Sequence, residues 1–255
     1  SFTGSTAVGE EITRIAGVKR LSLELGANCP MIVMPDADLE LAAEASAAGG
    51  YVNAGQVCIS LQRVIVHEHV YEDYLDALRG PVEAFQMGDP LSADTRIGAM
   101  ISEAEAARVA GWVDEAVAGG ARVVIGGERD GAKLFPTVVA DVIPGMRLSD
   151  QEVFGPTLSV TKATSIDEAI ALANDSSYGL GAGIFTRDVT NAMRFAREVD
   201  AGAVHVNWTP LWRADLMPYG GLKGSGIGKE GIRYAVEEMT ELKTVIIHGL
   251  ERDTS

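Results

Sequence analysis

The sequence predicts an α/β fold built on a largely parallel sheet. Short β-branched runs alternate with amphipathic helical patterns along all 255 residues. Two of the helical stretches open on a capping box, Ser102 with Glu105 and Ser165 with Glu168. No internal repeat or low-complexity linker interrupts the alternation.

The elements follow in order. The opening SFTGSTAVGE reads as a strand, then Gly4-Ser5, then a helix start. It has no initiator Met and no approach to a first element. It reads as though cut inside a strand: by processing, at a cloning boundary, or partway through a larger protein. KRLSLELG and PMIVMP are predicted strands, and Asp38 is placed to cap a helix over LELAAEASAAGGYV. RVIVHEHV is a strand and YEDYLDAL a helix. SEAEAARVAGWVDEAVAGG is a helix closing on Gly119-Gly120. ARVVIGG and PTVVADVI are strands, and TLSVTKATS leads into the helix SIDEAIALAND. GAGIFT is a strand. DVTNAMRFAREVD is a helix expected to bury Val189, Ala192, Met193, Ala196 and Val199 on one face. GAVHVN is a strand, and TELKTVIIHG ends in a last one. The richest irregular stretch is TPLWRADLMPYGGLKGSGIGKEG, residues 209–231, a length usual for a functional loop or an element connector.

Composition bounds the function. With 47% hydrophobic and 22% charged residues the chain supports a sizeable core, as one large or two modest domains. The net charge of -15 is spread along the chain and repels phosphate backbones, which argues against nucleic acid. No apolar run reaches membrane-spanning length and no signal-peptide pattern opens the chain, so no membrane partner and a cytoplasmic location are expected. The two cysteines, Cys29 and Cys58, make no disulfide framework. No metal site is expected: there is no CxxC, and His67 with His69 on one face of a strand end supplies two ligands only.

The stretch NAGQVCIS holds Cys58, which by itself reads as a buried small hydrophobe, half of a disulfide, a metal ligand or a nucleophile. Gly55-Gln56 breaks the preceding helix, so Cys58 falls in a turn with free backbone N–H groups. Such groups lower a thiol pKa and stabilise an oxyanion. A nucleophilic cysteine needs a base. Glu24, in LSLELG, is either that base or an outward-facing strand carboxylate alternating with Leu23 and Leu25. Gly4-Ser5 is either a phosphate cradle at a helix N-terminus or an ordinary cap. In DQEVFGPTLSV, Glu152 and Phe154 either grip a ribose and a flat ring or are a loop acid and a core anchor.

In this order, GST, LELG, GQVC, EVFGP and PYGGLKGSG resemble the aldehyde dehydrogenase superfamily, over all 255 residues and matching its C-terminal half. The resemblance implies an aldehyde-dehydrogenase-like catalytic domain over residues 26–240. Residues 1–25 would be a remnant of the cofactor-binding domain, and 241–255 an oligomerisation strand and tail. It implies oxidation of a small aldehyde to an acid with NAD or NADP, through a thiohemiacetal and a thioester. Cys58 would be the nucleophile and Glu24 the general base, whose partial burial should raise its pKa. Glu152 would hold the nicotinamide ribose, Phe154 would pack by the nicotinamide, and Gly4, Ser5 and Leu25 would complete the cofactor contacts. Arg213, Trp212 and Tyr219 would line the substrate tunnel, with Arg213 facing an anionic group or else pairing with Asp215 or a neighbouring loop. The glutamate favours hydrolysis of the thioester over transfer to coenzyme A.

Three departures or consequences accompany the resemblance. Ala27 stands where the family has a second glycine, and the bulk its methyl adds to the backbone near the cofactor is expected to be tolerated. A second oxyanion donor and most of the cofactor sheet lie in the family's N-terminal part, so activity is expected of a longer parent chain. An incompetent scaffold, or a cysteine-dependent esterase using Cys58 and Glu24, is the alternative. A homodimer or homotetramer is expected from the terminal strand, which is apolar on both faces.

Overall fold

The computed structural model describes residues 1–249. Its strands are β1 (Phe2–Thr3), β2 (Leu23–Glu24), β3 (Pro30–Val33), β4 (Arg63–His67), β5 (Arg122–Ile125), β6 (Arg129–Asp130), β7 (Lys133–Leu134), β8 (Thr137–Ala140), β9 (Thr157–Ala163), β10 (Gly181–Phe185), β11 (Ala203–Val206) and β12 (Gly226–Ile227). The α-helices are α1 (Thr6–Ile15), α2 (Leu39–Tyr51), α3 (Tyr71–Glu83), α4 (Glu103–Ala118), α5 (Arg147–Asp150), α6 (Ile166–Asn174), α7 (Val189–Glu198) and α8 (Ile232–Met239).

A seven-stranded sheet runs in the order β11-β10-β3-β4-β9-β8-β5. Its neighbours are parallel except β8 with β5 at one edge. Strand β3, third of the seven, is buried at every position, as a parallel strand covered on both faces must be. Its side chains divide with period two: Met31 and Val33 join the core under α2, α3 and α4, while Ile32 and Met34 join the core under α6 and α7. Helix starts follow the predicted caps. Asp38 accepts from the Leu41 N–H at 3.1 Å, Ser102 from Glu105 at 3.2 Å and Ser165 from Glu168 at 3.2 Å.

A second, small sheet has the order β1-β2-β12, with β1 parallel and β12 antiparallel to the central β2. The predicted strand KRLSLELG shrinks to Leu23–Glu24 because each bonded neighbour is itself two residues long. The apolar face predicted for α7 is also corrected. Ala192, Phe195 and Val199 are buried, whereas Val189, Met193 and Ala196 are exposed. The Phe195 ring is the largest apolar group on that helix, and its burial turns the helix away from the predicted stripe. His67 ends β4 and His69 lies in the following 3-10 turn, with ring centroids 4.8 Å apart.

Residues 240–249 form no strand with the rest of the chain, and Leu242, Val245, Ile246 and Ile247 are exposed. A strand needs a bonded neighbour, and this segment meets none among the described residues. Residues 250–255 of the predicted tail lie outside the described residues. Helix α8, just before it, is absent from the predicted elements. No helix among the described residues is long and apolar enough to cross a membrane.

Arg63 opens β4 from inside the core at 5% exposure. Its guanidinium donates to the carbonyls of Asn28 (3.2 Å), Leu172 (3.0 Å) and Ala173 (3.0 Å). The last two belong to the final turn of α6, where unpaired carbonyls and the helix dipole favour a cation. Burial lowers its pKa to about 10, which leaves it charged at neutrality. Arg63→Met is expected to destabilise the fold by about 3 kcal/mol, because buried carbonyls lose their donors. Urea unfolding would read this as a lower midpoint at unchanged slope.

Candidate active site

Helix α2 stops at Tyr51, and a 3-10 turn over Val52–Gly55 follows, with Asn53 and Ala54 at φ 54° and 55°. Left-handed backbone at a non-glycine pair is uncommon and marks a tightly held turn. The side chains of Asn53 and Gln56 brace it, each donating to the other's carbonyl at 3.1 Å. Cys58 sits in the next turn, closed by Ser60 N–H on the Val57 carbonyl at 2.9 Å. The Cys58 N–H forms no backbone hydrogen bond among the described residues. Its sulfur lies 3.0 Å from the Tyr219 hydroxyl. Burial pushes the thiol above its ordinary 9.0, the Tyr219 hydrogen bond and the Ile59 N–H pull it back, and the charges of Glu24 and Glu152 push it up. Cys29 lies beneath, its thiol 3.8 Å from the Cys58 carbonyl, and burial pushes it up to about 12. It is an inert thiol.

Glu24 is 6% exposed, so the outward-facing reading of this strand position fails. Both residues of β2 are buried because β1 and β12 flank it and the 209–231 loop covers it. Burial first, and Glu230 second, push Glu24 up to about 7, against the pull of Lys229 and Arg213. Its Oε2 is buried without a hydrogen-bond partner among the described residues. Its Oε1 takes the space a side chain at Gly220 would need: a Cβ there would lie 2.8 Å from it and 2.5 Å from the Gly228 carbonyl oxygen. Gly220→Ala is therefore expected to displace the carboxylate and push against the Gly228 backbone, which a thermal melt would read as a lower midpoint.

Glu152 accepts the Ala27 N–H at 2.9 Å. Gln62, fully buried, locks the same loops together by donating to the Ala27 carbonyl at 3.1 Å and accepting the Val153 N–H at 2.6 Å. The position that must lack a side chain is Gly26, where a Cβ would lie 2.5 Å from Glu152 Oε2. The Ala27 methyl does not crowd this approach. It is buried in a cluster with Cys29, Ile59, Leu180 and Tyr219. Phe154 is left 38% exposed at φ 48°, a strained conformation for a bulky residue, beside this carboxylate.

Ser5 occupies the N-cap of α1, but its hydroxyl makes no capping bond. Gly4 gives its N–H to the Glu24 carbonyl at 3.0 Å, so Ser5 and the first turn of α1 are the donors left for a ligand. Leu25 packs on Gly9 of α1 and lines a groove of about 220 Å³ between that helix and the small sheet.

The three predicted substrate residues separate. Tyr219 reaches the Cys58 sulfur. Arg213 stacks on the Tyr219 ring, 4.1 Å from its centroid, and pairs with Glu230 at 3.1 Å rather than with Asp215. Trp212 instead faces His205 edge-on at 6.2 Å, and with Trp208 they line a separate open cleft of about 420 Å³. Sequence reasoning misses Gln62, Lys229 and Glu230, whose only signal is that the latter two fall in the irregular 209–231 stretch.

The model of the aldehyde dehydrogenase family matches residues 1–245. The chain is 48% identical over 248 residues to 3-sulfolactaldehyde dehydrogenase of Priestia aryabhattai, covering 97% of this chain and 52% of that protein. It is 43% identical to lactaldehyde dehydrogenase of Methanococcus maripaludis over 98% of this chain and 54% of the relative. The structure of the glyceraldehyde-3-phosphate dehydrogenase GapN from Methanocaldococcus jannaschii, complexed with NADP, superposes with a TM-score of 0.94 at 39% identity, over 98% of this chain and 54% of that one. The chain spans about half the length of the curated relatives it matches.

Proposed function

The chain belongs to the aldehyde dehydrogenase family, and from that premise we propose that it oxidises an aldehyde to a carboxylic acid with NAD+ or NADP+, through a covalent adduct on Cys58. The observation that carries this reading is the pairing of a turn-borne thiol, hydrogen-bonded by Tyr219, with a buried carboxyl poised at about 7.

In this reading Cys58 loses its proton to solvent and the thiolate sulfur attacks the carbonyl carbon. The C–S bond forms as the carbonyl π pair moves to oxygen, and the Cys58 N–H donates to that oxygen. When bound, NAD(P)+ supplies the acceptor for the hydride whose loss turns the adduct into a Cys58 thioester. Glu24 then takes a proton from a water that attacks the thioester carbon, and the sulfur leaves as thiolate with release of the acid. Glu152 and Phe154 suit the nicotinamide ribose and ring. Ser5 with the first turn of α1 suits the pyrophosphate. The cradle fits a cofactor: Gly26 leaves room for Glu152, and the Ser5 hydroxyl is uncommitted. Arg213, partly exposed beside Tyr219, suits a short polar or anionic aldehyde, in keeping with relatives named for lactaldehyde and sulfolactaldehyde.

The test is calorimetric binding of NAD+ and NADP+, with Glu152→Ala as control, followed by a panel of short polar and anionic aldehydes. Cofactor affinity about tenfold weaker in Glu152→Ala is expected, together with aldehyde-dependent cofactor reduction. Equal binding by both proteins, or bound cofactor that no aldehyde reduces, would sink the reading. Ester turnover lost in Cys58→Ala, without cofactor binding, would instead favour the cofactor-free hydrolase.

The exposed apolar segment 242–247 supports a homodimer or homotetramer in which it completes a sheet of a second subunit. Deleting residues 242–255 is expected to give a monomer by light scattering, and an unchanged mass would count against this. Both cysteines are free thiols, as a reducing cytoplasm keeps them.

A further inference from the structure

We propose that Tyr219 is a further catalytic residue of this site: its phenol O–H donates to the Cys58 sulfur and stabilises the thiolate, both before attack and when the sulfur leaves the thioester. The proposal rests on Cys58 being the nucleophile and goes beyond it.

The direction of the bond follows from chemistry and burial. Tyr219 is 4% exposed, and a buried phenol needs a partner for its O–H. Among the described residues the Cys58 sulfur, at 3.0 Å, is the partner it has. A phenol is the stronger donor of the two and a thiol S–H the weaker. Burial and the neighbouring Cys58 and Glu24 raise the phenol pKa, so Tyr219 keeps its proton and acts as a fixed donor rather than an acid. The Arg213 guanidinium over the ring, 4.1 Å from its centroid, draws electron density from it and strengthens the O–H as a donor.

The geometry acts twice in one cycle. In the resting site the bond offsets part of the burial that disfavours thiolate. Once sulfur has bonded to carbon its negative charge is gone and the bond weakens. When the thioester breaks, charge returns to sulfur and the bond strengthens in the transition state. A donor on the leaving sulfur speeds expulsion, since a leaving thiol of lower pKa departs faster. The other charged and titratable groups acting on this pair are Glu24, Glu152, Cys29 and the Arg213 guanidinium, and replacing the phenol substitutes none of them.

The experiment is the pH dependence of Cys58 alkylation by iodoacetamide in the full chain, located by peptide mass spectrometry, without aldehyde or cofactor. The buried Cys29, at about 12, does not compete below that range. Tyr219→Phe removes one oxygen. It is expected to move the alkylation midpoint up by about one pH unit, roughly tenfold slower labelling on the rising limb. Placing 3-fluorotyrosine at position 219, a stronger donor, is expected to move it the other way. A purely structural role for the ring would move neither. Superimposable profiles for all three proteins overturn the proposal, as does a Cys58 that resists labelling up to pH 10 in the unaltered chain. If Tyr219→Phe does not fold, the fluorotyrosine protein decides alone, an unshifted midpoint counting against. Cys58→Ala with intact aldehyde oxidation would instead defeat the underlying assignment, which keeps the two failures apart.

Discussion

Replacing Cys58 by alanine is expected to abolish aldehyde oxidation, with turnover falling on the order of 10⁵-fold or more, as when a covalent nucleophile is lost. The thiol is where the carbonyl carbon would bond, and the neighbouring groups cannot stand in for it. Cys29 is buried beneath with its pKa pushed up to about 12, and Glu24 is placed to move protons. Folding should hardly change. The residue is half-buried, and the lost contact is one hydrogen bond to Tyr219, worth about 1 kcal/mol. The check is cofactor reduction at saturating aldehyde, with an acid quench that traps labelled acyl group on the unaltered protein and none on Cys58→Ala. Oxidation surviving the substitution would require another nucleophile and would remove the basis of the proposed chemistry.

Glu24→Gln is the second large effect. The amide keeps the shape but cannot take a proton from water, so steady-state turnover should fall about a thousandfold. Acylation should continue, giving one rapid equivalent of reduced cofactor and then near silence, with the thioester accumulating. The pH behaviour follows from burial, which lifts the carboxyl from 4.5 to about 7. As a base Glu24 works ionised, so activity in the unaltered protein rises as pH passes upward through about 7, and the variant lacks that limb. Stability runs in the opposite sense. The folded site favours the protonated carboxyl, so the contribution of Glu24 is full below 4.5 and is lost as pH rises through about 7. Glu24→Gln should therefore melt higher than the unaltered protein above pH 7 and match it below 4.5. Steady turnover kept at the unaltered rate with no burst, or the reverse stability order, would point to a different base.

The scaffold was legible because its signals are local. Ser102 with Glu105 and Ser165 with Glu168 mark helix starts through bonds spanning three residues. PMIVMP is visible as a strand because each of its core residues is apolar. What was lost depends on size or on distance. Phe195 reorients α7 because one ring outweighs the methyl-rich stripe that the spacing favours. Helix α8 carries Ile232, Val236 and Met239, all exposed, so its pattern has no core among the described residues to answer to. Motif order brings Cys58, Glu24 and Glu152 to attention. Nothing in the local sequence around Gln62, Glu230 or Tyr219 says that they will meet residues 35, 206 and 161 positions away in the chain, and only the fold supplies those partners.

The small sheet adds a matter of timing. Glu24 lies between β1, some 20 residues before it, and β12, some 200 residues after it, while Ser225 donates to the Gly26 carbonyl at 2.7 Å across 199 residues. Contacts so far apart in sequence close late, after the entropy of the intervening loop has been overcome. A nascent chain can thus assemble the seven-stranded sheet and the Cys58 turn while the edge of β2 is still bare and Glu24 still solvated. In that interval the thiol exists without Tyr219, and the carboxyl titrates as an ordinary surface acid. The reactive pair is complete only when residues 219–227 dock, so in the unfinished molecule Cys58 lacks the donor that favours its thiolate.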